Sequence, residues 1–525
     1  MKKLLLFFCL TPLLLFAQKK KVPKDTSVII SQPNRIEFEK IRSDSEFYVV
    51  PGDIEGVLVI EETRNPIRGG GYEWILHMVD TAFNVQWSQK QIIPAEGTLL
   101  GYEYFDGRFY LLFNKNRFRS QDLLVLQVNA KSKKSQAYEI TTVFPINISH
   151  FESIGETLLI AGYANFRPVI ITYNIHDKIP RVVPGFYDNK NDMIDLVVDK
   201  DSELFTVILS EKMRNKRLTV RVKTFTSKGD LIQDNLINPG EKKSLLDAAS
   251  TTFSNGFQYL AGTHSKKSPF YSQGFYLSKF VNGVQQFNQY YPFAELDNFF
   301  SYLRPRREKR IKNRIARKKE RGKTKKFSYR LLVHKIIQQD DEYIMIAEAY
   351  YPRYSYNNNP GGAFSPNGFG TTSRGGAQSF NPYFLGYKYT HAVVVGFDRN
   401  CNIIWDNTFK IEDIQSYSLS ENVKISTVGE QIVLMYLQEN EIRSKVINGN
   451  EIVEGRTFNP VRLSFDADEV KTKDPQVEGL ENWYDNTLFA YGEQTIKNES
   501  GLVGKIDRRV FYLNKIKFDK NSQTN

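Results

Sequence analysis

The chain has 525 residues, with 71 Lys and Arg against 59 Asp and Glu for a net charge of +12, and 13% of its residues are aromatic. A 41% hydrophobic share excludes a wholly disordered chain, and two cysteines exclude a disulfide-stapled scaffold. The six histidines never fall within ten residues of each other, so HExxH and similar local metal pairs are excluded too.

Residues 1–17, MKKLLLFFCLTPLLLFA, set Lys2 and Lys3 before an apolar run from Leu4 to Phe16 and end on the small residue Ala17. That is the pattern of a secretory signal peptide. The run falls short of the roughly 20 residues a membrane span needs, and no later stretch approaches that length, so the mature chain is expected to be exported with no transmembrane segment. Phe7 and Phe8 precede Cys9 where a lipoprotein signal carries small residues. Once Cys9 is removed, Cys401 has no partner for an internal disulfide. Residues 18–35 are expected to form a flexible N-terminal segment.

From residue 36 to 518 a short strand recurs: GVLVIEE (56–62), GRFYLLFN (107–114), GETLLIAGY (155–163), SELFTVILS (202–210), NGFQYLAGT (255–263), DEYIMIAEAY (341–350), GEQIVLMYL (429–437) and NTLFAYGEQ (486–494). Six of these lead into a second strand and a hairpin, and aligning the hairpins at Asp80, Asn129, Asn174, Thr226, Phe280 and Asp398 gives separations of 49, 45, 52, 54 and 118 residues. Short, Phe- and Tyr-rich alternating runs favour strands. A period near 50 with four strands per repeat predicts an all-β fold, a single β-propeller of about eight four-stranded blades with seven as the alternative count. Residues 36–50 are expected to supply a closing strand for the last blade, whose final segment (503–518) shows no hairpin. Residues 519–525 form a polar tail.

Asp80 to Trp87 and Asp398 to Trp405 share a spacing of seven. They resemble the Asp-to-Trp turns of several propeller families, and the chain as a whole resembles secreted β-propeller repeat proteins. The resemblance implies an architecture and no particular activity. Each acid is expected to cap its own turn and each ring to fill the space between blades.

Two insertions interrupt the repeats. Residues 303–327, LRPRREKRIKNRIARKKERGKTKKF, hold 14 Lys and Arg against Glu308 and Glu320 between 304 and 326, so this segment alone carries +12 and the rest of the chain sums to zero. Pro305 suits a first helical turn, residues 306–321 are mostly good helix formers, and Gly322 suits the stop. Leu303, Ile311 and Ile315 form a thin apolar stripe, enough to rest on a propeller rim and too narrow to bury in a bilayer. The cations Arg304, Arg306, Arg307, Lys309, Arg310, Lys312, Arg314, Arg317, Lys318, Lys319 and Arg321 form a candidate binding arm. The second insertion, 351–389, is rich in Gly, Asn and Ser and reads as a long loop. Its rings Tyr354, Tyr356, Phe364, Phe369, Phe380, Tyr383 and Phe384 form a candidate aromatic contact. Two strands separate the insertions, so both should leave the ring on the same face.

Catalytic signatures are not found: there is no G-x-S-x-G elbow, phosphate-binding Gly loop or dinucleotide fingerprint. Asp188 and Asp192, and Asp466, Asp468 and Glu469, lack the pattern of a calcium loop and read as surface turns. No catalytic residue, metal or cofactor is assigned. The sequence therefore predicts a non-catalytic binding or scaffold protein of the periplasm or outer-membrane surface, with extracellular release as the alternative location. Its expected partner is an envelope protein or glycan. Anionic lipid headgroups or another anionic polymer on the basic arm are an alternative, and export disfavours nucleic acid. A glycan-active enzyme that gathers carboxylates from different blades around the central channel is the other alternative.

Overall fold

The computed structural model describes residues 28–520, apart from 69, 95–96, 116–120, 189–190, 255, 267, 340, 355–383, 472–476 and 499–506. The signal segment 1–17, residues 18–27 and residues 521–525 lie outside the described residues, and residues 519–520, expected to begin the tail, belong to the last strand, Asp507–Lys520.

Eight antiparallel sheets follow one another along the chain as the blades of a propeller, which settles the count at eight. Blade 1 shows the plan, with Glu46–Pro51 innermost, then Val57–Pro66, Tyr72–Val79 and Val85–Ile93. The innermost strands of blades 2 to 8 are Thr98–Phe105, Asn147–Ile154, Asn191–Asp199, Ser244–Ser250, Arg330–Val333, Lys424–Val428 and Glu478–Asn482.

The recurring motif is the second strand of every blade, and its composition follows from its position. A strand flanked on both sides within its sheet and covered on both faces by neighbouring blades has no side that meets water. Thr157–Ala164 is accordingly buried at every residue. The outermost strand Val85–Ile93 alternates between exposed and buried, because only its inner pleat is covered. The apolar cores lie between blades. One joins Leu58, Leu76 and Trp87 of blade 1 to Phe109, Leu111 and Leu126 of blade 2, where the Trp87 indole donates to the Ala130 carbonyl at 2.7 Å. Asp80 accepts the Ala82 and Asn84 amides at 2.8 Å, and Asp398 does the same for Asn400 and Asn402. Both acids therefore cap turns, as expected.

Closure departs from the expectation in detail. Val28–Ser31 and Arg35–Glu39 pair with the last strand, Asp507–Lys520, so part of the segment expected to be flexible is strand, while Glu46–Pro51 opens blade 1 instead of closing blade 8. Because the fourth strand of blade 8 comes from the N-terminal side, the last repeat needs no outer hairpin. That explains why none is visible in the sequence. Blade 7 also has one, turning through Asn448, Gly449 and Asn450, a hairpin beyond the six read from the sequence. The closing strand is held by charge as well as by its ladder. Arg35 bonds Glu37 at 2.7 Å, and Arg508 reaches Glu37 at 3.1 Å and Asp468 at 2.6 Å. Asp468 is thus a buried ion-pair partner and not the surface turn expected of it. Asp192 likewise lies on the innermost strand of blade 4 and accepts the Tyr163 hydroxyl at 2.5 Å. Across the seam Phe47 stacks on Phe511 at 4.7 Å, and the Trp483 indole donates to the Gly56 carbonyl at 3.1 Å. Gly56 has φ +121, and a Cβ there would sit 1.9 Å from the Val79 carbonyl oxygen, so only glycine can hold this turn.

Phe511→Ala, which empties a fully buried position in the seam, should cost about 3–5 kcal/mol in urea unfolding, while Ile41→Ala at an exposed position should change stability by less than about 0.5 kcal/mol. The hydrogen-bonded Arg508 guanidinium holds the Asp468 carboxyl below its ordinary value, so its contribution is present above about pH 4 and lost as pH falls through the lowered value. Asp468→Asn should therefore destabilise the fold at neutral pH, with the difference from the parent shrinking in unfolding curves taken toward pH 2.

Candidate functional site

The connection from blade 5 to blade 6 carries the basic insertion on an apolar platform. Phe293, Phe299 and Phe300 are buried, and Phe293 stacks on Phe299 at 4.5 Å. The platform is tied to the outer strand of blade 6, Ile403–Lys410, through Asp406, which accepts the Asp297 and Asn298 amides at 2.8 Å each. Tyr302 stacks on His391 at 3.6 Å and hydrogen-bonds the Tyr329 hydroxyl at 3.1 Å. Burial pushes the His391 imidazole down to about 3, so this ring is neutral and acts as packing. In the sequence, Phe293, Phe299 and Phe300 just ahead of the charge run were the available signal for the platform.

Helix α1 spans Pro305–Glu320. Pro305 stands at its first turn, and Gly322 at φ +65 ends it, with the Gly322 amide donating to the Lys319 carbonyl and the Lys323 amide to the Lys318 carbonyl, both at 2.9 Å. Leu303, Ile311 and Ile315 pack against the core between blades 5 and 6. The stripe therefore rests on the propeller as expected, and the arm is a seated helix. Arg304, Arg306, Arg307, Lys309, Arg310, Lys312, Arg314, Arg317, Lys318, Lys319 and Arg321 are all exposed. Of these cations only Lys312 forms an ion pair among the described residues, with Glu308 at 2.8 Å.

The second insertion shares this face. Arg330, the first residue of the inner strand of blade 6, pairs with Tyr350, and the second strand runs on past it to Tyr354 before the chain returns at Phe384. Residues 351–354 and 384–389, expected to be loop, are thus the extended ends of a hairpin. Tyr354 and Phe384 lie 5.8 Å apart, and Phe384 packs edge-on against Tyr387 at 4.9 Å. Tyr356, Phe364, Phe369, Phe380 and Tyr383 lie outside the described residues. Tyr271, Tyr351, Tyr354 and Tyr417 expose 43% to 70% of their surface around the same side of blades 5 and 6.

A second group, which sequence reading missed, lies on the inner strands near the opposite end of the ring axis. Glu103 and Glu152 each stand two residues before the end of their inner strands in blades 2 and 3. Glu103 bonds Lys200 at 2.5 Å, and Lys200 also donates to the Tyr104 carbonyl at 3.1 Å. The Glu152 carboxylate has no hydrogen bond or ion pair among the described residues. Burial, and after it the Glu103 charge, pushes the Glu152 carboxyl up to about 7, partly offset by Lys335 and Lys200. Burial also raises Glu103, against the pull of Lys200 and Lys335. Lys335 follows the inner strand of blade 6, across the ring from blade 2, so these charges meet over the axis. Tyr102 of blade 2 and Tyr491 of blade 8 both sense Glu481, which places two rings beside a further carboxylate. The signal was available in the sequence: Glu103 and Glu152 are 49 residues apart, one blade period, in YEYFDG and FESIG.

No protein-family model matches the chain, and no curated protein matches it. Solved structures similar to it are β-propellers. The β-propeller domain of the Trilobed protease from Pyrococcus furiosus aligns over 82% of this chain and 96% of its own, with 8% identity and a TM-score of 0.35. Polysaccharide lyase Uly1 aligns over 93% and 100%, with 10% identity and a TM-score of 0.38. Prolyl oligopeptidase B from Galerina marginata aligns over 87% and 56%, with 8% identity and a TM-score of 0.37.

The raised Glu152 carboxyl carries a stability signature. A carboxyl whose folded value lies above its unfolded value of 4.5 contributes below about pH 4.5 and loses that contribution as pH rises through about 7. Glu152→Gln should therefore match or fall below the parent near pH 4 and exceed it near pH 8, gaining up to about 3 kcal/mol across that interval, as read from urea unfolding at both pH values.

Proposed function

We propose that this is an exported, non-catalytic binding protein of the cell envelope that holds a negatively charged partner on the face bearing α1. The observation that carries the reading is the seating of α1. Ile311 and Ile315, with Leu303 just ahead of the helix, are partly buried against the propeller while its cations stand in solvent, and only Lys312 of these cations has an ion-pair partner among the described residues. Ordering so many like charges on one short element opposes folding unless a partner compensates, so a seated basic helix favours recognition over a solvated arm.

A second reading is favoured by the carboxylates on the axis. Glu152, with a carboxyl that burial pushes up to about 7, stands beside Glu103, which Lys200 holds against the same pressure, and such a pair of carboxyls can serve acid–base chemistry on a glycan. It predicts turnover of a polysaccharide that Glu152→Gln abolishes, whereas the binding reading predicts none.

Deleting residues 304–326 joins Leu303 to Phe327, both packed on the same core. The deletion variant should keep the parent's unfolding midpoint within a few degrees and lose envelope association and partner capture from tagged mature protein. Undiminished capture would refute the binding reading.

A further inference from the structure

The arginines and lysines of α1 are not mixed. At about 100° per residue, Arg306, Arg307, Arg310, Arg314, Arg317 and Arg321 fall within about 100° of arc, while Lys309, Lys312, Lys318 and Lys319 all lie outside it. Along the axis Arg306, Arg310, Arg314, Arg317 and Arg321 succeed one another at steps of about 6, 6, 4.5 and 6 Å, a ladder about 22 Å long. The ladder is turned away from the partly buried stripe of Ile311 and Ile315. Arg307, at its edge, lies near enough to Tyr302 and Tyr329 to act on their hydroxyls, whereas Lys312 on the other flank lies near Asp406 of the outer strand. The ladder thus faces inward over the ring, Lys312 and Lys319 lie on the side toward the rim, and Lys309 and Lys318 border the ladder on its two edges.

We infer that this arginine ladder docks a linear polyanionic polysaccharide carrying one carboxylate per sugar ring, an inference that rests on the binding reading above and names its partner. Four observations select this chemistry. Charge alone does not distinguish Arg from Lys, but a planar guanidinium forms two parallel hydrogen bonds to a carboxylate, which an ammonium cannot. Segregating arginine onto one stripe is therefore a selection for bidentate recognition. The near-regular spacing suits a ligand whose charges also repeat, and an extended uronate chain repeats once per ring on a scale comparable to one helical turn. A folded acidic surface presents no such repeat. Membrane insertion is disfavoured because Ile311 and Ile315, the apolar residues α1 has to offer, are already packed on the protein. Exposed Tyr271, Tyr351, Tyr354 and Tyr417 on the same side supply flat rings that sugars stack on.

The test uses the full mature chain with four probes at about 150 mM salt: polygalacturonate, neutral dextran, poly-glutamate and phosphatidylglycerol vesicles. One variant carries R306K, R310K, R314K, R317K and R321K, which keeps every charge and nearly all helix propensity. A second carries K309Q, K312Q, K318Q and K319Q, which removes four charges off the ladder. Binding of polygalacturonate should exceed that of the other probes, fall by more than about tenfold in the arginine variant, and change by less than about threefold in the lysine variant. Equal or larger loss in the lysine variant, equal binding of poly-glutamate or vesicles, or no binding of polygalacturonate would each overturn the inference. Unchanged unfolding midpoints exclude misfolding as the cause of a loss. If the 304–326 deletion abolishes envelope capture while polygalacturonate goes unbound, the ladder inference fails and the binding reading stands; if capture survives the deletion, the binding reading itself fails.

Discussion

Each blade has two apolar faces, and the only arrangement that buries all sixteen is a closed ring, so the whole molecule depends on the seam between blade 8 and blade 1. That seam is made by Arg35–Glu39 completing a sheet whose other strands come from the far end of the sequence. The ladder supplies position, and the stacked Phe47 and Phe511 with the Trp483 indole on Gly56 supply the dry contact. The Arg35, Glu37, Arg508 and Asp468 network adds a charge lock that is complete only when both chain ends are in place. Removing one member leaves its partner buried and unpaired, which is more costly than never having built the pair.

Closure also determines where function can sit. The edges of a blade meet solvent at the two faces and along the axis, and the core between blades admits no polar insertion. Both insertions therefore enter at blade connections or hairpin tips. Antiparallel pairing within blade 6 puts Arg330 opposite Tyr350, so the entry from α1 and the aromatic hairpin emerge together. On the axis the inner strands have only one neighbour each, which frees Glu103 and Glu152 to face one another across blades without disturbing the cores behind them.

The second strands were legible in the sequence because burial on both faces forces a continuous apolar run, and the capped turns at Asp80 and Asp398 were legible because a side chain bonding its own backbone is a local event. Helix α1 could be read from Pro305, Gly322 and the Ile311 and Ile315 stripe for the same reason. What escaped were relations between distant segments. Pairing of residues 28–39 with 507–520 leaves no local mark, since a closing strand looks like any other short strand. Asp468 looks like a turn acid until Arg508 is brought beside it. Glu103 and Glu152 each pass as a polar residue on an edge strand, and their burial, with the pressure that puts on their carboxyls, exists only once blades 2, 3, 4 and 6 converge on the axis.

The two charged sites differ in a way that separates their roles. Helix α1 is strongly cationic, whereas the axial group sets Glu103 and Glu152 against Lys200 and Lys335, so ionising Glu152, whose carboxyl is pushed up to about 7, makes that group one charge less positive. A polyanion approaching the ring is therefore drawn to the face with α1, and any pull from the axis weakens once Glu152 ionises. Both fields are felt only within about a Debye length, near 8 Å at physiological salt, so the ladder works as a contact surface and not as a long-range funnel. Binding on that face must then rest on the fit of successive guanidinium groups to successive anions. That is the reason the sorting of arginine from lysine along α1 matters more than the total charge the segment carries.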